Sequence, residues 1–108
     1  MPKNSQILWT KIAREDLFEV VEYIKIDSAS NALKVLENIE SNVSRLSSFP
    51  EHGRIVPELK ELNVYRYREI VVSPWRIIYR ADQAKVYIMA VIDGRRDVAD
   101  VLLNRQLR

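Results

Sequence analysis

The sequence predicts an α+β fold: an N-terminal strand, an antiparallel helical hairpin packed on a three- to four-stranded, mainly antiparallel sheet, and a short C-terminal helix. Three observations carry this prediction. Two amphipathic stretches follow each other between Thr10 and Leu46 with no strand signal between them. Three runs rich in β-branched and aromatic residues come next, separated by turn-length breaks. The helices precede the meander instead of alternating with it, which is the layout of helices covering one face of an antiparallel sheet.

Taken in order, Ile7-Leu8-Trp9 is a short apolar run and reads as a strand. Thr10 offers a hydroxyl N-cap. Ala13, Leu17, Val20, Val21 and Ile24 then recur at helical spacing, which predicts an amphipathic helix of roughly 16 residues ending near Ile26-Asp27. Ser28 or Ser30 caps a second helix, whose stripe is Ala32, Leu36, Ile39, Val43 and Leu46. Ser47-Ser48 and Pro50 end it. With so short a connection the two helices form an antiparallel hairpin.

Phe49 to Leu59 reads as a loop. Gly53 is expected to supply a positive-φ turn there, and Arg54 to bond loop carbonyls. His52 is the only histidine; alone in a loop it reads as a structural or solvated residue. Val64 to Val72 is the next strand, Trp75 to Ala81 the one after, and Ser73-Pro74 the hinge between them. Lys85 to Ile92 is the most apolar strand and is expected to lie centrally. Asp93-Gly94 is a break, and Val98 to Leu107 reads as the terminal helix. One sheet face is expected to meet the helical hairpin and the opposite face to carry arginines.

Length and composition bound the rest. One hundred and eight residues, 47% of them hydrophobic, make one domain spanning 1–108. The absence of cysteine excludes disulfides, iron–sulfur clusters and thiol catalysis. One histidine and no cysteine leave no ligand set for a structural zinc, so no metal or cofactor is expected. No apolar window is long enough to span a bilayer, and Met1 to Gln6 lacks the apolar core of a signal peptide. A cytoplasmic protein is the expectation.

The net charge of +2 is unevenly placed. Residues 1–52 hold six Lys/Arg against eight Asp/Glu, and residues 53–108 hold eleven against seven. The basic C-terminal half points to an anionic partner. Its centre is R-E-I-V-V-S-P-W-R-I-I-Y-R, Arg68 to Arg80, an apolar hairpin threaded with Arg68, Arg76 and Arg80.

Four stretches in order carry a resemblance: W-T-x-x-A-x-x-D-L with Y-I (Trp9 to Ile24), F-P-E-H-G-R-I-V-P-E-L, R-E-I-V-V-S-P-W-R-I-I-Y-R, and V-Y-I-M-A-V-I-D-G-R-R-D. They span about residues 7–97, and the chain resembles the RelE/ParE superfamily of bacterial type II toxin–antitoxin toxins, most closely its ParE branch. The resemblance implies a toxin of a plasmid stabilisation (addiction) module that inhibits DNA gyrase and arrests growth. A cognate antitoxin, whose C-terminal segment wraps the toxin, would neutralise it. The superfamily's other branch implies the alternative, a ribosome-dependent mRNA endoribonuclease of the RelE type.

Cleavage through a 2′-hydroxyl needs a base, cations on the developing phosphorane charge, and an acid for the leaving oxygen. Arg76, Arg95 and Arg96 match basic positions of the RNA-cleaving branch, and Glu69 is the one nearby candidate base. The tyrosine or histidine that branch often keeps in its tail is missing from Val98 to Arg108. The reading is therefore a binding toxin without catalytic residues, with Arg68, Arg76, Arg95 and Arg96 as target contacts. The antitoxin is expected to be an amphipathic helix followed by an extended, acidic segment, in contact with Leu17, Val21, Ile24, Arg76 and Arg95. No membrane partner and no sequence-specific DNA binding by the toxin alone are expected.

Overall fold

The computed structural model describes residues 4–107. Met1–Lys3, part of the polar N-terminus, and Arg108, the last residue of the basic C-terminal half, lie outside the described residues. The chain runs β1 (Gln6–Trp9), α1 (Lys11–Asp27), α2 (Ala29–Ser44), a 3-10 turn (Arg45–Ser47), β2 (Arg54–Ile55), α3 (Pro57–Lys60), β3 (Arg68–Val72), β4 (Trp75–Asp82), β5 (Lys85–Asp93) and α4 (Val98–Asn104).

Local chemistry sets the helix ends. The Thr10 hydroxyl accepts from the Ala13 N–H and donates to the Ile88 carbonyl at 2.8 Å, so the cap of α1 also ties it to β5. Ser28 alone joins the two helices. Its N–H donates to the Ile24 carbonyl to close α1, and its hydroxyl accepts from the Asn31 N–H to open α2. Of the two serines offered for that cap, Ser28 fills it.

The five strands are ordered β1-β5-β4-β3-β2, with β1 parallel to β5 and every other pair antiparallel. The middle strand is β4; β5, expected to be central, is interior but one place off the middle. In the β4–β5 ladder Tyr79 pairs with Ile88 and Ile78 with Ala90, so Met89 is unopposed. This bulge reverses the alternation along β5. Val86 and Ile88 before it and Val91 after it therefore all join the core under the helical hairpin.

That core also takes Ala13 and Val20 from α1, Ile39 and Val43 from α2, and Ile70, Val72, Trp75, Ile77 and Tyr79 from the β3–β4 hairpin. Which alternate set of the hairpin meets the helices is thereby fixed. The opposite face is not the arginine face expected from the sequence. It carries a second core, in which Ile78, Ala90 and Ile92 pack with Val56, Leu59 and Tyr67 and with Val98, Val101 and Leu102 of α4. Arg76 and Arg80 alternate with Ile78 on that face but at its margins, because α3 and α4 claim its centre.

Three boundaries differ from the sequence reading. The Phe49–Leu59 loop contains β2 and the single-turn α3, so the sheet has a fifth strand, of two residues. Pro57 at the start of α3 has the φ and the missing donor that a first turn accepts. The third strand begins at Arg68, not Val64, since Tyr67 is drawn into the second core ahead of the ladder. The last helix stops at Asn104.

Candidate functional site

The register of three strands assembles an ion network around Glu69, the most buried charged side chain among the described residues. Arg54 of β2 lies opposite Glu69 of β3, and Glu69 lies opposite Ile78, two residues from Arg76 on the same face of β4. Diagonal neighbours at that spacing are within reach of long side chains. Arg76 Nε donates to Glu69 Oε1 at 2.7 Å, and its Nη1 and Nη2 clasp both oxygens of Glu58 on α3 at 2.8 and 2.6 Å. Arg54 Nε donates to Glu69 Oε2 at 2.7 Å.

The result is a chain Glu58–Arg76–Glu69–Arg54 that pins α3 to the sheet. The Glu69 side chain is 0% exposed and that of Arg76 11%. The hydrogen bond from Arg76 holds the Glu58 carboxyl below its ordinary range, and the same bond, with the one to Glu69, raises the affinity of Arg76 for its proton. Both Glu69 oxygens are engaged by guanidinium groups. A substrate hydroxyl reaches that carboxylate only by breaking a buried ion pair.

The other arginines are dispersed. Arg95 and Arg96 sit together on the turn after β5. Asp93 accepts from the Arg95 backbone N–H and bonds its guanidinium through both oxygens, at 2.9 and 2.7 Å. That bond to Arg95 holds the Asp93 carboxyl down to about 2. The side chains of both arginines line a cleft of about 330 Å³ against α1, beside Asp16, Glu19, Tyr23 and Trp75. Arg76 lies next to this turn only through its stem, which abuts Gly94; its guanidinium is turned away beneath α3. Arg68, opposite Tyr79 on the ladder, donates instead to the Gly53 carbonyl at 2.8 Å.

Two features of the 49–54 segment are corrected by the structure. None of the glycines has positive φ. Gly53 is required by close approach, since a Cβ there would meet the Glu69 carbonyl oxygen and the Tyr79 ring. The Tyr79 hydroxyl accepts from the Gly53 N–H at 2.9 Å and donates to the Pro50 carbonyl at 2.7 Å. The carbonyl bond expected of Arg54 is thus made by Arg68 and Tyr79, while Arg54 pairs with Glu69. His52 is exposed, its backbone N–H bonded to the Phe49 carbonyl.

A clamp that the sequence reading missed closes the first cleft. Asp16 of α1 is buried and accepts from the Val91 N–H at 3.0 Å, a donor beyond the last pair of the β1–β5 ladder. Arg105, past the end of α4, grips both Asp16 oxygens at 2.6 and 2.9 Å, and this bond raises its own proton affinity. The signal was a carboxylate inside an apolar stripe, three residues after Ala13 and four before Val20.

The apolar candidates divide. Leu17 and Val21 line a groove of about 620 Å³ with Ile7, Leu8, Trp9, Phe18 and Leu36, bounded by β1 and the two long helices. Phe18, not singled out by sequence, is 64% exposed there. Ile24 is half-buried against the main core, outside that lining. As the outermost strand, β1 presents an open backbone edge beside the groove. Among the described residues no carboxylate and histidine cluster could hold a metal ion, and no helix is long and apolar enough to cross a membrane.

Comparison with known proteins places these features in a family. Residues 7–98 match the family described as the ParE toxin of the type II toxin–antitoxin system parDE. Toxin ParE3 of Caulobacter vibrioides is 36% identical over 74 residues, which cover 65% of this chain and 70% of that protein. A solved structure of a chromosomal ParDE toxin–antitoxin system from P. aeruginosa superposes with a TM-score of 0.67 at 20% identity, covering 82% of this chain and 95% of that one, and so shares the fold. The chain belongs to the ParE toxin family of type II toxin–antitoxin systems.

Proposed function

We propose that this toxin acts by binding DNA gyrase in the cytoplasm and is neutralised by an antitoxin seated along α1 and β1. The observation that carries the first half is the state of Glu69. The one candidate base near the arginine set is buried, with both oxygens in ion pairs, and a general base must reach the proton it takes. Arg95 and Arg96, on an exposed turn, are the target contacts in this reading. Arg76, whose stem abuts Gly94, backs that turn, while Arg68 is held at the Gly53 carbonyl away from it.

The antitoxin half rests on the groove. An amphipathic helix would set its apolar face against Leu17, Phe18 and Val21, and an extended segment would pair with the open edge of β1. Acidic residues of that partner would meet Arg14, which lines the same groove, and Arg95.

Induced expression with and without the antitoxin tests both halves. The expected result is growth arrest with induction of the DNA-damage response, relieved by the antitoxin. Arrest of protein synthesis with cleaved messenger RNA and no DNA-damage response would instead establish the endoribonuclease.

A further inference from the structure

At the end of the sheet remote from the Arg95–Arg96 turn lies a concave site of about 470 Å³, of whose lining only Arg68 has been given a role above. It is lined by Tyr65, Arg66, Arg68 and Arg80, with Glu51 and Asp82. We propose that this site binds the phosphodiester backbone of a single nucleic-acid strand, independent of sequence, with an unstacked base against Tyr65. The proposal goes beyond gyrase inhibition and does not depend on it.

The state of the three arginines carries the argument. Elsewhere the chain commits its buried guanidinium groups to carboxylates: Arg76 to Glu58 and Glu69, Arg105 to Asp16. Here it does not. Arg66 is exposed and makes no salt bridge among the described residues. Arg80 forms no ion pair either; its guanidinium lies 5.0 Å from the centre of the Tyr87 ring, and its Nε, shielded from solvent, has no hydrogen-bond partner. The Tyr87 ring holds this guanidinium in place without pairing it to a carboxylate. Arg68 spends one Nη on the Gly53 carbonyl and keeps the rest of its fork.

Glu51 and Asp82 are exposed at the rim, and neither approaches an arginine closely enough for a salt bridge. Their presence lowers the local charge but does not neutralise the fork donors, which suit phosphate oxygens geometrically. Tyr65 is 55% exposed and supplies an aromatic face beside them. A backbone-tracking basic groove with an aromatic platform is the general design for single strands.

The test is fluorescence anisotropy with a labelled oligothymidylate of about twelve nucleotides, titrated with the full chain at roughly 50 and 200 mM salt. With three phosphate contacts the affinity should fall roughly twentyfold across that range. Arg66→Gln and Arg80→Gln should each make the slope of log affinity on log salt shallower by about 0.7. Tyr65→Ser should weaken binding by roughly tenfold and leave the slope alone. Lys34→Gln, an exposed charge on α2 outside the site, should change neither.

Arg66 is exposed and unpaired, so its variant folds and reads out cleanly. Salt-independent binding, an unchanged slope in Arg66→Gln, or no effect of Tyr65→Ser would overturn the proposal. So would tighter binding of a poly-glutamate peptide than of the oligonucleotide, which would make the site an acidic-protein contact.

Discussion

Arg76 Nε donates to Glu69 Oε1 at 2.7 Å across two adjacent strands, in a position where the Glu69 side chain has no solvent contact. Removing one partner of a buried pair leaves an uncompensated charge. Arg76→Ala strips Glu58 of its partner and leaves the buried Glu69 with Arg54 alone, and should therefore cost about 3–5 kcal/mol of stability in denaturant unfolding. Arg54, on the same carboxylate, is 61% exposed, and Arg54→Ala should cost no more than about 1 kcal/mol. Equal losses from the two variants would contradict the burial argument.

The Asp16–Arg105 clamp joins α1 to the end of the chain and satisfies a strand N–H that β1 does not reach. Asp16→Ala strips all three hydrogen bonds. Arg105→Met removes the two from the guanidinium and keeps the stem; with its side chain 23% exposed, its cost should be about 1.5–3 kcal/mol. Asp16→Ala should cost more, and a double-mutant cycle should return a coupling of at least about 0.5 kcal/mol. A coupling of zero would mean the pair is a surface contact only.

Much of this architecture was legible from local chemistry, and the reasons are specific. Thr10, the Ala13–Ile24 stripe and the Ala32–Leu46 stripe are signals contained within one helix each. The β3–β4 hairpin carries its own turn. By contrast β2 and α3 span two and four residues, too short for any periodicity. The second core was hidden because Ile78 stands between Arg76 and Arg80 in sequence, and only the arrival of α3 and α4 decides which of the three is covered. The Glu58–Arg76–Glu69–Arg54 chain depends on strand register, which no single segment reveals. Arg76 was recognisable as notable, but its partners were not.

Acid should weaken the α3 attachment. Glu58 is held below its ordinary value of 4.5 by the Arg76 hydrogen bond. A depressed carboxyl contributes stability that is present above its unfolded value and lost as pH falls through its folded one. At neutral pH Glu58→Gln should be less stable than the native chain. The gap should narrow as pH drops below about 4.5, read as urea midpoints across a pH series. A gap that stays constant down to acid pH would show that the ion pair contributes nothing to folding.

The groove makes a separable prediction. Phe18→Ala and Val21→Lys alter exposed or half-buried groove positions away from the main core. Each should weaken antitoxin binding by more than about tenfold, the behaviour of a central interface residue. Neither should change the effect of the free toxin on its target. Unaltered antitoxin affinity in both variants, measured by calorimetry, would place the partner elsewhere.

The most direct measurement is made with purified components. Toxin is added to DNA gyrase and relaxed plasmid, and in parallel to translating ribosomes with a defined messenger RNA. The expected result is loss of supercoiling with accumulation of cleaved DNA, weakened by Arg95→Ala and Arg96→Ala, and an intact message. Cleavage of the translated message with supercoiling untouched would contradict it.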